Sequence, residues 1–263
     1  MKTGTLFNLI DTADAYSDGR SEEMVGKAIA GRRDDLVVAT KAYLPMGEDP
    51  NRRGSSRRWL VTALEDSLRR LDVDHVDLYQ IHRWDPNTSD EETLSALTDL
   101  QRAGKIRYFG SSTFPAYRIV QAQWSAREHH LSRYVTEQPC YSILQRGIES
   151  HVLPVTEEYG LGVLANRAKL EAVERLAKVA DQAGLTMIQL ALGFVTAHRA
   201  VTSAIIGPRT MEHLRSQLAA ADTVLSADVL DEIDEIVFPG VDLAAEEKYD
   251  TPPSILDATL RRR

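Results

Sequence analysis

Short β-rich runs alternate with amphipathic stretches along most of this 263-residue chain, and that alternation limits the fold more than any other feature. Strand candidates fall at residues 7–11, 35–41, 76–82, 106–112, 134–138, 162–165 and 201–207. Several are apolar nearly throughout, as at Leu36, Val37, Val38 and Ala39, the pattern of strands covered on both faces. Between them, Leu60, Leu64, Leu68 and Leu71 form a stripe at helical spacing, surrounded by Arg57, Arg58, Glu65, Arg69 and Arg70. Leu170, Val173, Leu176 and Ala180 form another, closed by Gly184, and Thr186 with Gln189 has the spacing of a capping box. Such a rhythm requires parallel strands joined by crossover helices, which is the α/β class.

Two architectures satisfy it, an open doubly wound sheet and a closed (β/α)8 TIM barrel. An open dinucleotide-binding sheet carries G-x-G-x-x-G after its first strand, whereas here that strand leads into Thr12, Ala13, Asp14, Ala15 and Tyr16. The barrel places polar functional residues at C-terminal strand ends, and Asp11, Lys41, His82, Ser112 and Gln138 each close a run. The expectation is a (β/α)8 TIM barrel in a single domain over residues 1–263, with 239–263 as a C-terminal arm. Seven strands are recognisable where closure requires eight.

Composition narrows the function. With 31 Lys and Arg against 39 Asp and Glu, the net charge of −8 argues against nucleic acid or an anionic membrane as the main partner. Cys140 is the only cysteine, which excludes an intrachain disulfide framework and a cysteine-only metal cage. No apolar stretch reaches the roughly 18–20 residues of a membrane span, and Asp11 and Asp14 interrupt any leader-like core. These features lead to the expectation of a cytoplasmic protein acting on a small molecule.

Taken singly, the strand-end residues are unremarkable: Asp11 reads as a helix cap, Lys41 as a solvated cation and His82 as a structural histidine. Taken together, they suggest a device. A lysine beside the Tyr16 phenol stabilises phenolate and makes the tyrosine a usable proton donor. Asp11 would hold Lys41, and His82 would hydrogen-bond a carbonyl oxygen while Tyr16 protonates the developing oxyanion. Such an acid needs a partner that delivers an electron pair, and a nicotinamide hydride is the simple candidate. Near the C-terminus, the junction Gly207, Pro208, Arg209, Thr210 leads into a helix expected at 211–221 and forms a ready phosphate site. Arg209 can grip a phosphate with two donors, which favours NADP over NAD. Trp84, two residues past His82, is the candidate wall of a substrate pocket. The arginines from 52 to 58 read as a solvated helix entry, and Glu22 and Glu23 as an acidic first helical turn.

The chain resembles the aldo-keto reductase superfamily, in particular its bacterial and potassium-channel-β-subunit-like branch. The resemblance rests on Asn8 to Tyr16 with Ser21 and Glu22, Ala39 to Lys41, Ser67 to Leu71, Val76 to His82, Gly104 to Gly110, and Gly207 to Thr210, all in the family's order. It implies NADPH, reduction of an aldehyde or ketone, and a catalytic tetrad at Asp11, Tyr16, Lys41 and His82. It further implies carboxamide binding by Ser112, Thr113 and Gln138, with Thr113 in place of the usual asparagine. Around the adenosine, Arg209 and Thr210 match, while His213 and Gln217 stand where glutamine and asparagine are more usual. The chain departs from the family in two places. Only six residues precede the run at 7–11, where the family has a hairpin, a strand and a helix. After Ala165 the family's aromatic-Ser-Pro-Leu segment and cofactor loop give way at once to Asn166 and Arg167. Either the sequence is part of a longer record or the gene is shortened. Unpaired strand edges would favour a homo-oligomer. The alternatives to a reductase are a non-catalytic NADP-binding regulatory subunit and a truncated pseudoenzyme.

Overall fold

The computed structural model describes residues 8–165 and 173–242, which divide between two compact units. The first comprises the chain to Gln138 together with Val155–Leu164, and the second comprises Pro139–Pro154 and the chain from Ala165.

In the first unit, β1 (Leu9–Asp11), α1 (Arg20–Ile29), β2 (Val37–Ala42), α2 (Arg57–Leu71), β3 (Val76–Ile81), α3 (Asp90–Arg102), β4 (Ile106–Ser112), α4 (Ala116–Glu128) and β5 (Thr136–Gln138) alternate strictly. The chain then runs through α5 (Val152–Glu158) into β6 (Gly162–Ala165). Strands β1 to β6 pair in sequence order, all in parallel. The central strands are covered on both faces: in β3, Tyr79 and Ile81 on one face and Leu78 and Gln80 on the other are buried, and the Tyr79 hydroxyl donates to the Leu60 carbonyl on α2. The expected stripe of α2 is the buried one, with Leu60, Leu64, Leu68 and Leu71 joined by Trp59 and Ala63. Each buried leucine contributes about 2 kcal/mol by leaving water. The Ser56 hydroxyl caps the start of α2 at the Trp59 amide, and Arg57 pairs with Asp99, so the basic run does form a solvated helix entry.

The second unit carries α6 (Val173–Gln182), α7 (Met187–Ala197), β7 (Val201–Ala204), α8 (Met211–Ala219) and α9 (Ala227–Ile236). Gly184 adopts a left-handed φ of 67° after α6, and the capping box of Thr186 with Gln189 opens α7 as expected. Buried Arg146 donates to Glu149, Asp234 and the Val237 carbonyl, tying the 139–154 segment to α9.

The seven described strands, alternating with helices, follow the (β/α)8 plan one strand short of closure. Six strand ends differ from expectation, among them both ends of β2, which runs Val37–Ala42 rather than 35–41, the end of β3 at Ile81 and the start of β5 at Thr136. β1 is described only from Leu9, and β7 stops at Ala204, although the Ile205 amide still donates to the Ala165 carbonyl. Phe7, Asn166, Arg167, Leu170 and residues 243–263 of the expected arm lie outside the described residues. No single described helix is long and apolar enough to cross a membrane.

Candidate functional site

The parallel register sets the site. Lys41 stands beside Gln80 across the β2–β3 ladder, and Ser112 beside Gln138 across β4–β5. Asp11 ends β1, Lys41 is the penultimate residue of β2, and His82 directly follows β3. Tyr16 is delivered by a loop rather than a strand. Its path is fixed by Asp14, which accepts the Ala15 amide at 2.6 Å, and by left-handed Ser17, Asp18 and Gly19 just before α1. A Cβ on Gly19 would lie 2.6 Å from Arg70 Cδ, so glycine suits both the backbone and the space there.

The four expected residues come together within the first unit. Lys41 Nζ lies 2.6 Å from Asp11 Oδ2 and 3.0 Å from the Thr12 carbonyl, with the lysine and aspartate side chains 1% and 7% exposed. The same Nζ stands 5.2 Å from the centre of the Tyr16 ring. His82 meets that ring edge-on at 5.6 Å between centroids. Tyr16 is 37% exposed, so only the phenol of the group is open to a solute. Burial, followed by the positive charges of Lys41 and Arg83, lowers the His82 pKa to about 3. The imidazole is therefore neutral at ordinary pH and has one N–H to donate. Its Nδ1 has no hydrogen-bond partner among the described residues.

Ser112 and Gln138 are also adjacent, since the Ser112 hydroxyl donates to the Gln138 carbonyl at 3.1 Å. Thr113 follows at φ 57°, a left-handed conformation unusual for a β-branched residue, and its hydroxyl receives Arg83 Nη1. The turn is held from behind by buried Glu137, which accepts the Ser111 hydroxyl and the Phe114 amide. Burial raises the Glu137 pKa to about 7, against the lowering effect of those bonds.

Two groups were not singled out in the sequence, and the burial of a third was not foreseen. The first is Gln80, which is fully buried and joins Asp11 and Gln138 through its amide. The signal was an amide side chain inside the run 76–82, two positions before His82 and so on the same strand face. The second is Glu137. The third, Glu22, lies in the acidic first turn of α1 as expected and is also fully buried, where it accepts Thr40 Oγ1 at 2.5 Å and Arg70 Nε at 2.7 Å. Arg70 lies 48 positions away, so no local pattern announces the pair. Trp84, the expected pocket wall, lies two positions past His82 beside Arg118. It stacks under the Arg118 guanidinium at 3.8 Å and lines a cavity of about 480 Å³ to which Tyr16, Lys41 and His82 do not contribute.

In the second unit, Arg209 precedes α8 and is exposed, without an ion pair among the described residues. Thr210 caps the helix by accepting the His213 amide at 3.1 Å. Gln217, two turns on, has a buried Oε1 with no partner among the described residues. Gly207 has open space where a side chain would stand. A phosphate suits the exposed guanidinium and helix start, and an aromatic amine suits the orphaned amide oxygen, so these residues fit the phosphate and adenine of a dinucleotide.

The model of the Aldo/keto reductase family matches residues 5–168 and 164–237. The uncharacterized oxidoreductase YrpG of Bacillus subtilis is 36% identical over 279 residues, covering 91% of this chain and 85% of that protein. That aligned length exceeds the chain itself, so the relative carries segments absent here. A probable voltage-gated potassium channel subunit beta of Arabidopsis thaliana is 31% identical, covering 88% of this chain and 83% of its own. Norsolorinic acid reductase B of Dothistroma septosporum is 29% identical, covering 88% and 69%.

Proposed function

The chain belongs to the aldo/keto reductase family, and from that premise we propose that it is an NADPH-dependent oxidoreductase reducing aldehydes or ketones to alcohols, with Tyr16 as general acid. The observation that carries the reading is the buried Asp11–Lys41 pair beside the exposed phenol of Tyr16. NADPH, when bound, supplies hydride to the carbonyl carbon. Tyr16 gives its proton to the carbonyl oxygen as negative charge develops there, and the phenolate left behind regains a proton from water. Lys41 stabilises that phenolate, and Asp11 keeps the ammonium in place. Neutral His82 donates its N–H to the same oxygen, which orients the carbonyl without adding a charge. Ser112, Thr113 and Gln138 offer polar groups for the carboxamide. Arg209, Thr210, His213 and Gln217 offer the chemistry for the 2′-phosphate and adenine. The reaction needs no metal.

The test combines an NADPH titration, read by nicotinamide fluorescence, with turnover of 4-nitrobenzaldehyde. Tyr16→Phe is expected to keep nucleotide binding and lose at least a hundredfold in turnover; normal turnover would remove Tyr16 from the mechanism. Arg209→Ala is expected to weaken NADPH much more than NADH, and equal loss for both would remove the 2′-phosphate contact. The Arabidopsis relative supports a second reading, a regulatory NADP-binding subunit. That reading expects tight nucleotide binding with negligible turnover. A chain that binds no nucleotide would be a pseudoenzyme.

A further inference from the structure

We propose that Gln80 is a positioning residue that locks the nicotinamide-facing amide of Gln138 to the catalytic carboxylate of Asp11. This rests on the reading of the site as a nicotinamide reductase. Gln80 Nε2 lies 2.8 Å from Gln138 Oε1 and 3.4 Å from Asp11 Oδ1, so its two hydrogens reach two different strands. The triangle closes where Gln138 Nε2 donates to Asp11 Oδ2 at 3.2 Å. Asp11 Oδ2 also receives Lys41 Nζ, so both carboxylate oxygens are occupied and the Gln138 amide has one permitted orientation. Gln80 reaches two strands away because its ladder neighbour on β4 is Gly110, which has no side chain on that row. A Cβ at Gly110 would fall 1.9 Å from Thr136 Oγ1, so the row accepts nothing larger.

The arrangement has a chemical consequence. With Nε2 directed at Asp11 and Oε1 at Gln80, Gln138 retains one amide hydrogen and one lone pair for a carboxamide. Removing Gln80 leaves Oε1 without its donor and frees the amide to rotate, so the glutamine no longer presents a fixed donor–acceptor pair. Gln80 Oε1 is itself buried and unpartnered among the described residues, so the residue is held only through its two donated bonds.

The test is Gln80→Leu in the full chain, with affinities measured for three probes by fluorescence or calorimetry. These are NADPH, its reduced 3-acetylpyridine analogue, which lacks the carboxamide amine, and adenosine 2′,5′-bisphosphate. The wild type is expected to prefer NADPH over the acetylpyridine analogue by about tenfold, and the variant to lose that preference. Affinity for the bisphosphate should stay within twofold, which a general structural defect would not allow. If Gln80→Leu does not fold, Gln80→Met keeps the side-chain length and carries the same measurement. Failure of both to fold would make Gln80 a core strut and overturn the proposal, as would an unchanged preference in a folded variant. A wild type that binds no NADPH would instead overturn the reductase reading itself.

Discussion

Lys41 Nζ sits 2.6 Å from Asp11 Oδ2, with both side chains almost wholly removed from water. Neither charge is stable there without the other, because desolvation of a single buried ion costs several kcal/mol. Asp11 retains hydrogen bonds from Gln138 and Gln80 when the lysine is lost, whereas Lys41 retains only the Thr12 carbonyl when the carboxylate is lost. Lys41→Met is therefore expected to cost about 3 kcal/mol in urea unfolding and to remove carbonyl turnover. Asp11→Asn should cost at least as much stability, since it leaves the Lys41 ammonium buried without a counter-charge. Equal unfolding midpoints for Lys41→Met and wild type would show that the pair does not stabilise the fold.

A second prediction concerns Thr113. A β-branched residue at φ 57° is strained by its own Cβ substituents, and asparagine tolerates the left-handed region better. The Thr113 hydroxyl accepts only Arg83 Nη1 at 3.2 Å and lies 3.4 Å from the Ser112 hydroxyl, contacts that an asparagine amide can replace. Thr113→Asn is expected to raise unfolding stability by about 1 kcal/mol without weakening NADPH. A drop in thermal midpoint would show that the hydroxyl contacts outweigh the backbone strain.

What the sequence disclosed follows from the range of the interactions involved. β4 and β6 match their expected bounds, β6 as a short apolar run, and the capping box of α7 is readable because Thr186 and Gln189 are three residues apart. Strand ends disclosed Asp11, Lys41 and His82, since the parallel α/β plan brings such ends together. The residues that hold those side chains were hidden for the opposite reason. Glu22 finds Arg70 on another helix, Gln80 finds Gln138 two strands away, and Glu137 serves a turn 23 positions earlier. At Trp84 the strand signal has ended: two positions beyond His82 the chain has already left the strand, and the ring packs against Arg118.

The last prediction follows from the buried Glu137 carboxyl, whose pKa rises from the ordinary 4.5 to about 7. For an acid raised on folding, the folded state binds the proton more tightly. Its contribution to stability is therefore present below pH 4.5 and lost as pH climbs through 7. Asp14, raised from 3.8 to about 7 mainly by burial, acts in the same direction. His82, lowered from 6.5 to about 3, acts oppositely and loses its contribution as pH falls below 6.5. Above pH 6.5 the carboxyls therefore dominate among these three. Glutamine cannot ionise, yet its oxygen can accept the Phe114 amide while its nitrogen donates to the Ser111 hydroxyl. Glu137→Gln is accordingly expected to match wild type near pH 5 and to gain on it by up to about 3 kcal/mol at pH 8. The measurement is the urea midpoint of both proteins at the two pH values. Parallel changes would mean that Glu137 ionises in the folded chain as readily as in water, and that its burial does not govern its protonation.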